Sequence, residues 1–532
     1  MHWLLLVDAA AAGIAAHHGL FIRGEWHLEG PKVIFGHFTL GSLAWWYFLR
    51  HESASIPEHI GLCSLVFGSY IISLFASIII YRLFFHPLRH FPGPKLAATS
   101  KLWHIFKCRN GKNFRVLEDV RHQYGQFVRT GELLYFSNDL NLACEQLTLS
   151  IGSLLQGPNE ITIYHPAAIE ILEAPKSKTV RTDWYDVLHP RTSTIFTRNE
   201  ADHNTWRRVW SQALSTKSIA EYLPRILEQV GRLADLIASH NTEPVLLNDV
   251  MSWFAFDSMG EFMFNSDFDM MRSSTWHPAI VQQRGALALL APLSDAIWLV
   301  RLAFAFFPFG KVRDWNQMVA FCDNAMNKRM QADVQDMDIA SWFIEEFKQP
   351  KTLRSLKDRL NLLSGSTVSA IVAGSDTTRP SLICIWYMLA KYPEHADKIY
   401  KELAACDVTD ANTLATLPHL EAVMNETMRL YPAAMTGANR LTSEQGLWID
   451  DTWIPGNTKV AAPKYSIMRC HRQCVGKTLA LTEIRLVVAT LLKQYEVSFP
   501  AGQDVDSVID DMKDQVTAQP GECRLVFTPR VP

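Results

Sequence analysis

The sequence predicts a mainly α-helical protein with a small β part, preceded by membrane-spanning helices. One N-terminal run, His59–Tyr81, has 23 residues without a formal charge. Over most of the later chain apolar residues recur at helical spacing, and only three short segments alternate as strands do. At 532 residues and 48% hydrophobic, the chain can bury an ample core. It has no internal repeat or low-complexity tract, which predicts one large domain after the N-terminal helices.

The N-terminal region contains three candidate transmembrane helices. His59–Tyr81 is long enough to cross a hydrocarbon core of about 30 Å. Val33–Leu49 is a second candidate with interfacial Trp and Tyr, and Trp3–Ile22 is a third, weakened by Asp8 and two histidines. A cleaved signal peptide fits less well because no basic segment precedes the first apolar run. We therefore predict a membrane anchor of one to three transmembrane helices in residues 1–90.

The charges after the anchor predict the orientation of the large domain, residues 91–532. Basic residues follow the last apolar run with no acid among them: Arg82, Arg89, Lys95, Lys101, Lys107, Arg109 and Lys112. The positive-inside rule then places this domain in the cytosol, and the anchor in the endoplasmic reticulum membrane. Nine irregularly spaced cysteines argue against a disulfide framework and fit a reducing compartment. A net charge of −3 with scattered basic residues predicts no nucleic-acid partner.

Periodicity predicts the main elements of the large domain. Six segments have helical spacing: Asp202–Leu214, Ser218–His240, Trp315–Asp336, Asn361–Lys391, Pro393–Cys406 and Leu417–Leu430. Three segments are predicted as short strands: Gly125–Thr130, Asn159–Tyr164 and Leu447–Pro455.

A single cysteine lies at the predicted start of a C-terminal helix. Cys474 comes just before Gly476, where that helix begins. The unpaired N–H groups and the positive dipole end of the helix would lower the pKa of the thiol and stabilise the thiolate. A thiolate held in this way is a suitable ligand for haem iron. On this motif alone, a buried and inert cysteine before an ordinary helix is the alternative.

The segment Ala373–Thr378 (AGSDTT) interrupts the apolar pattern of a long predicted helix. Gly374 costs about 1 kcal/mol relative to alanine, and a threonine hydroxyl can bond to the preceding turn and bend the helix. A polar notch at such a bend would place Asp376 and Thr377 where they can pass protons. The alternative is a helix-start cap followed by a new helix.

A third motif is weak alone but decisive in combination. Glu426 and Arg429 share a helix face, and an exposed pair of this kind contributes only a few tenths of a kcal/mol. Taken in order, however, AGSDTT, ETMRLYP and RQCVGKTLALTE resemble the cytochrome P-450 superfamily of haem-thiolate monooxygenases, specifically its membrane-bound fungal members. The resemblance runs from about Tyr81 to the C-terminus and includes the hinge Phe91–Pro94.

The resemblance implies a haem cofactor and a role for each matching residue. Cys474 corresponds to the axial iron ligand, so it is the metal-binding residue. Glu426 and Arg429 correspond to a buried ion pair behind the haem that supports, together with Gly476, the loop around the cysteine. The fold that the resemblance implies is the cytochrome P-450 fold, preceded here by transmembrane helices.

The resemblance also implies residues that bind the haem carboxylates. Arg472 and Arg440 resemble the arginines that hold the propionates, and a guanidinium is suited to binding a carboxylate in a fork. His203 and Arg207, at i and i+4 on one helical face, lie where the family carries a Trp or His and an Arg over the propionates. A solvated basic face is the alternative for this last pair.

The activity implied is insertion of one oxygen atom from O2 into an apolar small molecule, with Asp376 and Thr377 delivering protons. Electrons would come from NADPH–cytochrome P-450 reductase, with cytochrome b5 as a further partner. The stretch Phe264–Phe309 would form the roof of the substrate site, and its Leu, Ala, Trp and Phe content suggests a bulky apolar substrate of fungal secondary metabolism, such as a terpenoid, polyketide or indole product.

The chain departs from the family pattern in two places. An insert, Glu132–Gly157, separates two segments that are nearly contiguous in related chains. Just before Arg472 a meander of a few dozen residues is missing, and with it an arginine that completes the network of Glu426 and Arg429. Cys470 becomes an inferior alternative ligand. The deletion favours a second hypothesis, a non-catalytic membrane-bound remnant that cannot seat haem, and a third is an isomerase or dehydratase on the same fold.

Overall fold

The computed structural model describes residues 2–22, 25–51, 56–94, 102–130, 159–174, 177–293, 296–332, 337–350, 354–437, 439–467 and 474–530. The predicted insert Glu132–Gly157 lies outside these ranges, as do Cys470 and Arg472.

Three helices form the N-terminal region: α1 (His2–Ala16), α2 (Gly30–His51) and α3 (Ile56–Ile80). The first and third continue as π-helical turns, which gives two apolar spans, Trp3–Phe21 and Ile56–Phe85, each long enough to cross a membrane. The second helix has 22 residues and is less apolar. All three candidates from the sequence are therefore helical.

The first and third helices pack closely and run in the same direction. Ser69 Oγ donates to the Leu6 carbonyl at 2.8 Å, and Ser77 Oγ lies 2.9 Å from His17 Nδ1. Between these contacts a Cβ on Gly13 would overlap the α3 backbone, so only glycine permits this approach. Residue numbers rise together along both helices, so α1 and α3 are parallel. We call this contact the α1–α3 seam.

The larger part of the chain is mainly helical. Its helices of six or more residues are α4 (Leu102–Cys108), α5 (Asn113–Tyr124), α6 (Ala168–Glu173), α7 (Glu200–Ala213), α8 (Thr216–Ser239), α9 (Leu247–Phe264), α10 (Pro278–Leu293), α11 (Ile297–Phe306), α12 (Lys311–Gln331), α13 (Ile339–Lys348), α14 (Leu356–Lys391), α15 (Pro393–Leu403), α16 (Pro418–Leu430) and α17 (Lys477–Gln494). Four-residue helices are Met270–Ser273, Ala411–Leu414, Lys464–Ile467 and Ser507–Asp510.

The strands are short and form two small sheets and two hairpins. They are β1 (Phe127–Arg129), β2 (Glu160–Ile163), β3 (Val180–Arg181), β4 (Val245–Leu246), β5 (Arg440–Leu441), β6 (Leu447–Ile449), β7 (Thr452–Ile454), β8 (Lys459–Ala461), β9 (Tyr495–Ser498), β10 (Lys513–Gln515), β11 (Thr517–Gln519) and β12 (Arg524–Pro529). The five-stranded sheet has the order β1-β2-β8-β5-β3 and the three-stranded sheet the order β4-β12-β9. Strands β2 and β8 are parallel, with Ile161 opposite Val460.

The core of the larger part surrounds α14. This helix packs against α9 along one side and against α12, α13, α16 and α17 elsewhere. Trp386 of α14 is fully buried and meets the Phe527 ring edge-on, with ring centroids 5.5 Å apart. A helix buried all round can carry catalytic groups on rigid backbone, and α14 contains the predicted acid–alcohol pair.

The predicted helices and the first two predicted strands agree with the structure, whereas β3–β5 and β8–β12 were not predicted and Leu447–Pro455 differs from its prediction. That segment is a hairpin of two strands, β6 and β7, and not the single strand predicted. The turn falls at Asp450, whose φ is 47°. Asp tolerates the left-handed conformation better than most residues, so two consecutive aspartates between the strands reverse the chain. In the described ranges all seven cysteines are free thiols, as their irregular spacing predicts.

Candidate functional site

Cys474 lies at the N-terminus of α17, as predicted. The helix begins at Lys477 with Gly476 as its N-cap, and Lys477 N–H donates to the Cys474 carbonyl at 3.3 Å. A Cβ on Gly476 would lie 3.9 Å from Cys474 Sγ, which is an ordinary van der Waals distance. The cysteine is exposed. The alternative of a buried, inert cysteine is therefore wrong, and the sulfur is accessible to a ligand.

The predicted pair Glu426–Arg429 forms on α16. Arg429 Nε and Nη2 donate to the two carboxylate oxygens of Glu426 at 2.7 and 2.6 Å, which lowers the pKa of Glu426. The side chains are 53% and 39% exposed, so the expectation of a buried pair is wrong. The physical reason is a lack of cover, because no described segment packs over this end of α16. Solvent then screens the charges and the pair contributes little to stability.

A second ion pair joins α16 to α17 and was not predicted. Arg485 donates to both carboxylate oxygens of Glu421, from Nη2 at 3.1 Å and from Nε at closer range. Arg485 lies on α17, which begins shortly after Cys474, and Glu421 lies on α16, five residues before Glu426. This fork therefore fixes the two helices against each other. Spacing gives no signal for it, since the partners are 64 residues apart in the chain.

Two residues before Arg485, the carboxyl group of Glu483 is enclosed in the interior. Glu483 is 5% exposed, and burial raises its pKa to about 8. The ionised form is disfavoured because a charge in an apolar interior loses its hydration. Glu483 is therefore protonated at neutral pH.

Asp376 is held inside an unbroken helix. The helix α14 runs from Leu356 to Lys391, which excludes the alternative of a cap followed by a new helix. Asp376 is 1% exposed; its Oδ1 lies 3.0 Å from Arg379 Nη2, and its Oδ2 accepts from Thr517 Oγ1 at 2.5 Å. Burial raises the pKa of Asp376 and Arg379 opposes the shift. A perturbed carboxyl group inside a helix-lined site is a candidate for proton transfer.

Thr377 is half-buried next to this acid. Its hydroxyl donates to the Ala373 carbonyl at 2.7 Å, as predicted for a threonine that bonds to the preceding turn. Gly374 has a different role from the one expected. A Cβ there would overlap the sulfur of Met259 on α9, so the glycine permits the close crossing of α9 and α14. The side of the helix opened by Gly374 is filled by Met259.

The hairpin β10–β11 completes the surroundings of Asp376. Arg379 Nη2 donates to Gln519 Oε1 at 2.5 Å, and Gln519 Nε2 donates to Thr517 Oγ1 at 3.0 Å. Arg379 could have been identified from its i+3 spacing to Asp376. Thr517 and Gln519 could not, because they come from a strand about 140 residues later.

Three guanidinium groups and one imidazole converge beside β3 and β5. His203 and Arg207 share one face of α7, as predicted. Burial lowers the pKa of His203, and the nearby charges of Arg181, Arg207 and Arg440 lower it further. Arg440 is 8% exposed, and its Nη1 donates to the Tyr185 hydroxyl at 2.5 Å. Arg181 also lies over the Tyr185 ring, 4.9 Å from the centroid. Arg181 and Tyr185 were not predicted.

This cationic group fits the carboxylates of a haem. Among the described residues Arg440 meets no carboxylate, although a buried guanidinium usually requires one. Two propionates would supply the missing negative charge through forked hydrogen bonds. His203 and Arg207 are both half-buried, so their exposure does not decide between this role and a solvated face. The accessible sulfur of Cys474 supplies the second element that a haem-thiolate site needs.

The chain is similar to known proteins over most of its length. A family model described as Cytochrome P450 matches residues 145–470 and ends before Cys474. Tryprostatin B 6-hydroxylase of Aspergillus fumigatus is 30% identical over 94% of this chain and 92% of its own length. Cytochrome P450 monooxygenase phqL of Penicillium fellutanum is 26% identical, with 99% and 95% covered.

The alignment to the Aspergillus protein spans 553 positions, more than the 532 residues of this chain, so this chain lacks residues that the relative has. That result fits the predicted deletion without locating it. Among solved structures, the crystal structure of cytochrome P450DA heme domain superposes with a TM-score of 0.64 at 15% identity, over 83% of this chain and 98% of that one. At this identity the likeness shows the fold.

Proposed function

Because the chain belongs to the cytochrome P450 family of haem monooxygenases, we propose that it inserts one oxygen atom into a bulky apolar small molecule of fungal secondary metabolism. One relative is named for hydroxylating tryprostatin B, and the predicted roof of the substrate site is rich in apolar side chains. The observation that carries the proposal is the position of Cys474, accessible at the N-terminus of α17.

Each side of the site has a separate task in this proposal. Cys474 ligates the iron, and the N-terminal N–H groups of α17 stabilise its thiolate. His203, Arg207 and Arg440 bind the haem carboxylates, with Arg472 as a further ligand on sequence grounds. When bound, the haem supplies the centre that activates O2. The chain itself must orient that group, exclude water and supply protons.

Proton supply is assigned to α14. Burial raises the pKa of Asp376, which favours proton exchange at this carboxyl group, and Thr517 and Arg379 fix its orientation. Thr377 is the adjacent hydroxyl; when its bond to the Ala373 carbonyl opens, it can donate toward the site and accept from Asp376 or a water. Glu426, Arg429 and Gly476 support the loop that carries Cys474.

The N-terminal region acts as a membrane anchor in residues 1–90. The parallel α1–α3 seam supports a specific topology: if α1 and α3 both span the membrane, the chain must cross back between them, and α2 is the available helix. At 1.5 Å per residue its 22 residues reach about 33 Å, enough to cross the hydrocarbon core. With three spans, the start of α1 lies on the other side of the membrane from the monooxygenase domain, residues 91–532.

We place the anchor in the endoplasmic reticulum membrane with the catalytic domain in the cytosol, where NADPH–cytochrome P450 reductase and cytochrome b5 can deliver electrons. In sealed microsomes, added protease should digest the chain after Pro94, while a tag before His2 should be protected. Digestion of both would indicate an even number of spans, and protection of the domain would reverse the orientation.

The reduced, carbon-monoxide-bound absorption spectrum tests the central assignment. Cys474→Ser should abolish the long-wavelength band of a thiolate-ligated haem, and the matched variant Cys470→Ser should retain it. Loss of the band in both variants, or in neither, would contradict Cys474 as the ligand.

A second candidate function is a non-catalytic membrane-bound remnant. The exposure of Glu426 and Arg429 favours it, because the loop support that these residues should provide is uncovered. Haem titration distinguishes the two candidates: a monooxygenase takes up haem stoichiometrically and shows the thiolate band, and a remnant does neither. An isomerase or dehydratase would show the band but turn over without NADPH.

A further inference from the structure

A crevice lies between the membrane anchor and the sheet of the catalytic domain. Its volume is about 520 Å³, within the range of ligand cavities, about 300–1,000 Å³. On the anchor side it is lined by the ends of both apolar spans, including Phe21 and Arg82. The opposite wall is the turn Asn457–Lys459, which leads into β8. Because α1 and α3 are parallel, the ends of both spans that line the crevice lie together at one level, which is the membrane surface.

The loop between α1 and α2 fixes this arrangement. Arg198 binds both carboxylate oxygens of Glu25, and His27 Nε2 lies 2.8 Å from Asp186 Oδ2. Asp186 in turn lies 3.2 Å from Arg198, so the four side chains form one network. His27 is only 3% exposed. The anchor is therefore docked on the catalytic domain, and the crevice is a fixed feature of that contact.

The described lining of the crevice includes three charged side chains, Glu25, Lys459 and Arg82. Glu25 is the only carboxylate among its described lining residues, and that carboxylate is already bound by Arg198. Lys459 is likewise neutralised by Asp183 at 2.5 Å. Arg82 lines the crevice and is 3% exposed. The Arg82 carbonyl accepts from Arg129, a second guanidinium, which is 4% exposed.

One buried donor on the crevice wall lacks a partner. Thr458 Oγ1 has no hydrogen-bond acceptor in the described part of the chain, although Thr458 is only 1% exposed. Buried donors without acceptors are rare in folded proteins because each costs its full desolvation energy. An anion in the crevice would accept from this hydroxyl and lie beside the guanidinium of Arg82.

His86 gives independent evidence of the local potential. Burial, then the charges of Arg129 and Arg82, lower the pKa of His86 to about 3. Its Nδ1 accepts from Leu88 N–H at 3.1 Å, so the neutral ring carries its proton on Nε2 and adds a further donor to the crevice.

We propose that this crevice binds the phosphate group of a membrane phospholipid, with Arg82 as the principal cation and Thr458 as a hydroxyl donor. Guanidinium and hydroxyl groups are typical phosphate ligands, and basic pockets between transmembrane helices at the cytoplasmic surface typically bind lipid head groups. The acyl chains would lie along the apolar ends of α1 and α3. Free phosphate has the same chemistry, but membrane helices form one wall of the site, which favours the lipid.

Binding of a short-chain phosphatidylglycerol to the full-length protein in detergent tests the proposal. Arg82→Gln should weaken binding about tenfold, as expected for loss of one charge-assisted contact. Arg89→Gln is the matched control: it removes the same charge from an exposed position seven residues later and should leave binding unchanged. Equal loss in both variants would overturn the site, because it would mean general attraction of the lipid to basic residues.

Two further arms keep the test decisive. Thr458→Val keeps the shape of the side chain and removes a hydroxyl without a partner, so the protein should fold normally and bind the lipid more weakly even if Arg82→Gln fails to fold. Diacylglycerol, which has no phosphate, should not bind; binding as tight as that of phosphatidylglycerol would overturn the phosphate contact. Inorganic phosphate that displaces the lipid at equal concentration would overturn the lipid as the source.

Discussion

Asp376 on α14 and Glu426 on α16 each pair with an arginine three residues later, but the two pairs have opposite surroundings. The Asp376–Arg379 pair is 1% and 4% exposed, and the hairpin β10–β11 covers it. The Glu426–Arg429 pair, with shorter contacts, is 53% and 39% exposed. Local spacing therefore specifies that a pair forms, whereas segments distant in sequence determine whether the pair is buried and what it contributes to stability.

The two pairs lie on different sides of the candidate haem site: Asp376–Arg379 on the side of α14, and Glu426–Arg429 on the side of Cys474. The side proposed to deliver protons, around Asp376, is enclosed by described segments. The cysteine side lacks cover at the point where the sequence predicts a missing meander. Each prediction below changes one side and leaves the other in place.

The largest effect should come from restoring the missing cover. A version that lacks Glu132–Gly157 and carries a family meander before Arg472 should bind haem about tenfold or more tightly than the chain described here. Only about four residues, at most roughly 14 Å of chain, lead from His471 to the helix start, too little for the usual loop beneath a haem. Haem titration of both versions measures the difference. Stoichiometric haem with a thiolate spectrum in the shorter chain would show that its loop suffices.

Removing the buried acid should strongly destabilise the protein. Asp376→Ala leaves Arg379 and the Thr517 hydroxyl buried without their carboxylate, which should reduce the free energy of unfolding by about 3 kcal/mol or more. Chemical denaturation monitored by fluorescence gives the value. A loss comparable to that of an exposed alanine substitution would indicate that water replaces the carboxylate, and would remove the distinction between the two pairs.

Glu483 predicts a pH dependence on the cysteine side. Its folded-state pKa of about 8 lies above the usual 4.5, so the folded protein holds this proton more tightly than the unfolded chain does. The contribution of Glu483 to stability is therefore fully present below pH 4.5 and is lost as pH rises to about 8. The free energy of unfolding should decrease by a few kcal/mol over this range. Glu483→Gln should be more stable than the parent at pH 8, with a smaller difference at pH 5.5. If the unfolding midpoints of the parent and Glu483→Gln differ by the same amount at pH 5.5 and pH 8, the raised pKa of Glu483 is contradicted.

Thr377→Ala tests proton delivery and should leave folding almost unchanged. In a haem-loaded version the variant should bind substrate normally, consume NADPH, and divert severalfold more of the electrons to peroxide. The control is Thr378→Ala, because that neighbouring hydroxyl bonds to the Gly374 carbonyl at 3.1 Å and has no assigned proton role. Unchanged coupling in Thr377→Ala, or equal uncoupling in both variants, would remove Thr377 from this role.

The smallest effect should come from the exposed pair. Glu426→Ala should leave the unfolding midpoint unchanged in the chain described here, because solvent screens both charges. In the version with the restored meander the same substitution should be strongly destabilising, since the pair would then be buried. Equal effects in the two versions would show that the meander does not cover this end of α16.

The sequence allowed us to predict helices and side-chain pairs a few residues apart. It did not allow us to predict which distant segments pack around them. Patterns within a few residues were enough for the six predicted helices. The same is true of the helix start at Cys474–Gly476 and of the Glu426–Arg429 contact. Thr517, Arg181 and the Arg485–Glu421 fork depend on contacts across long stretches of chain, for which neither spacing nor composition gives a signal. Gly374 was placed in the correct helix but given the wrong role, because its packing partner, Met259, lies on a different helix.

The α1–α3 seam has a consequence for how the protein is made. Under the proposed three-span topology, the two halves of the seam can meet only after α2 has crossed the bilayer and Ser77 has left the ribosome. Gly13 and the serines then close the contact while most of the polypeptide remains untranslated. The anchor is thus complete before the catalytic domain begins to fold. A bulky residue at Gly13 should therefore appear as a defect in membrane insertion, early in biogenesis, and not as a loss of enzyme stability.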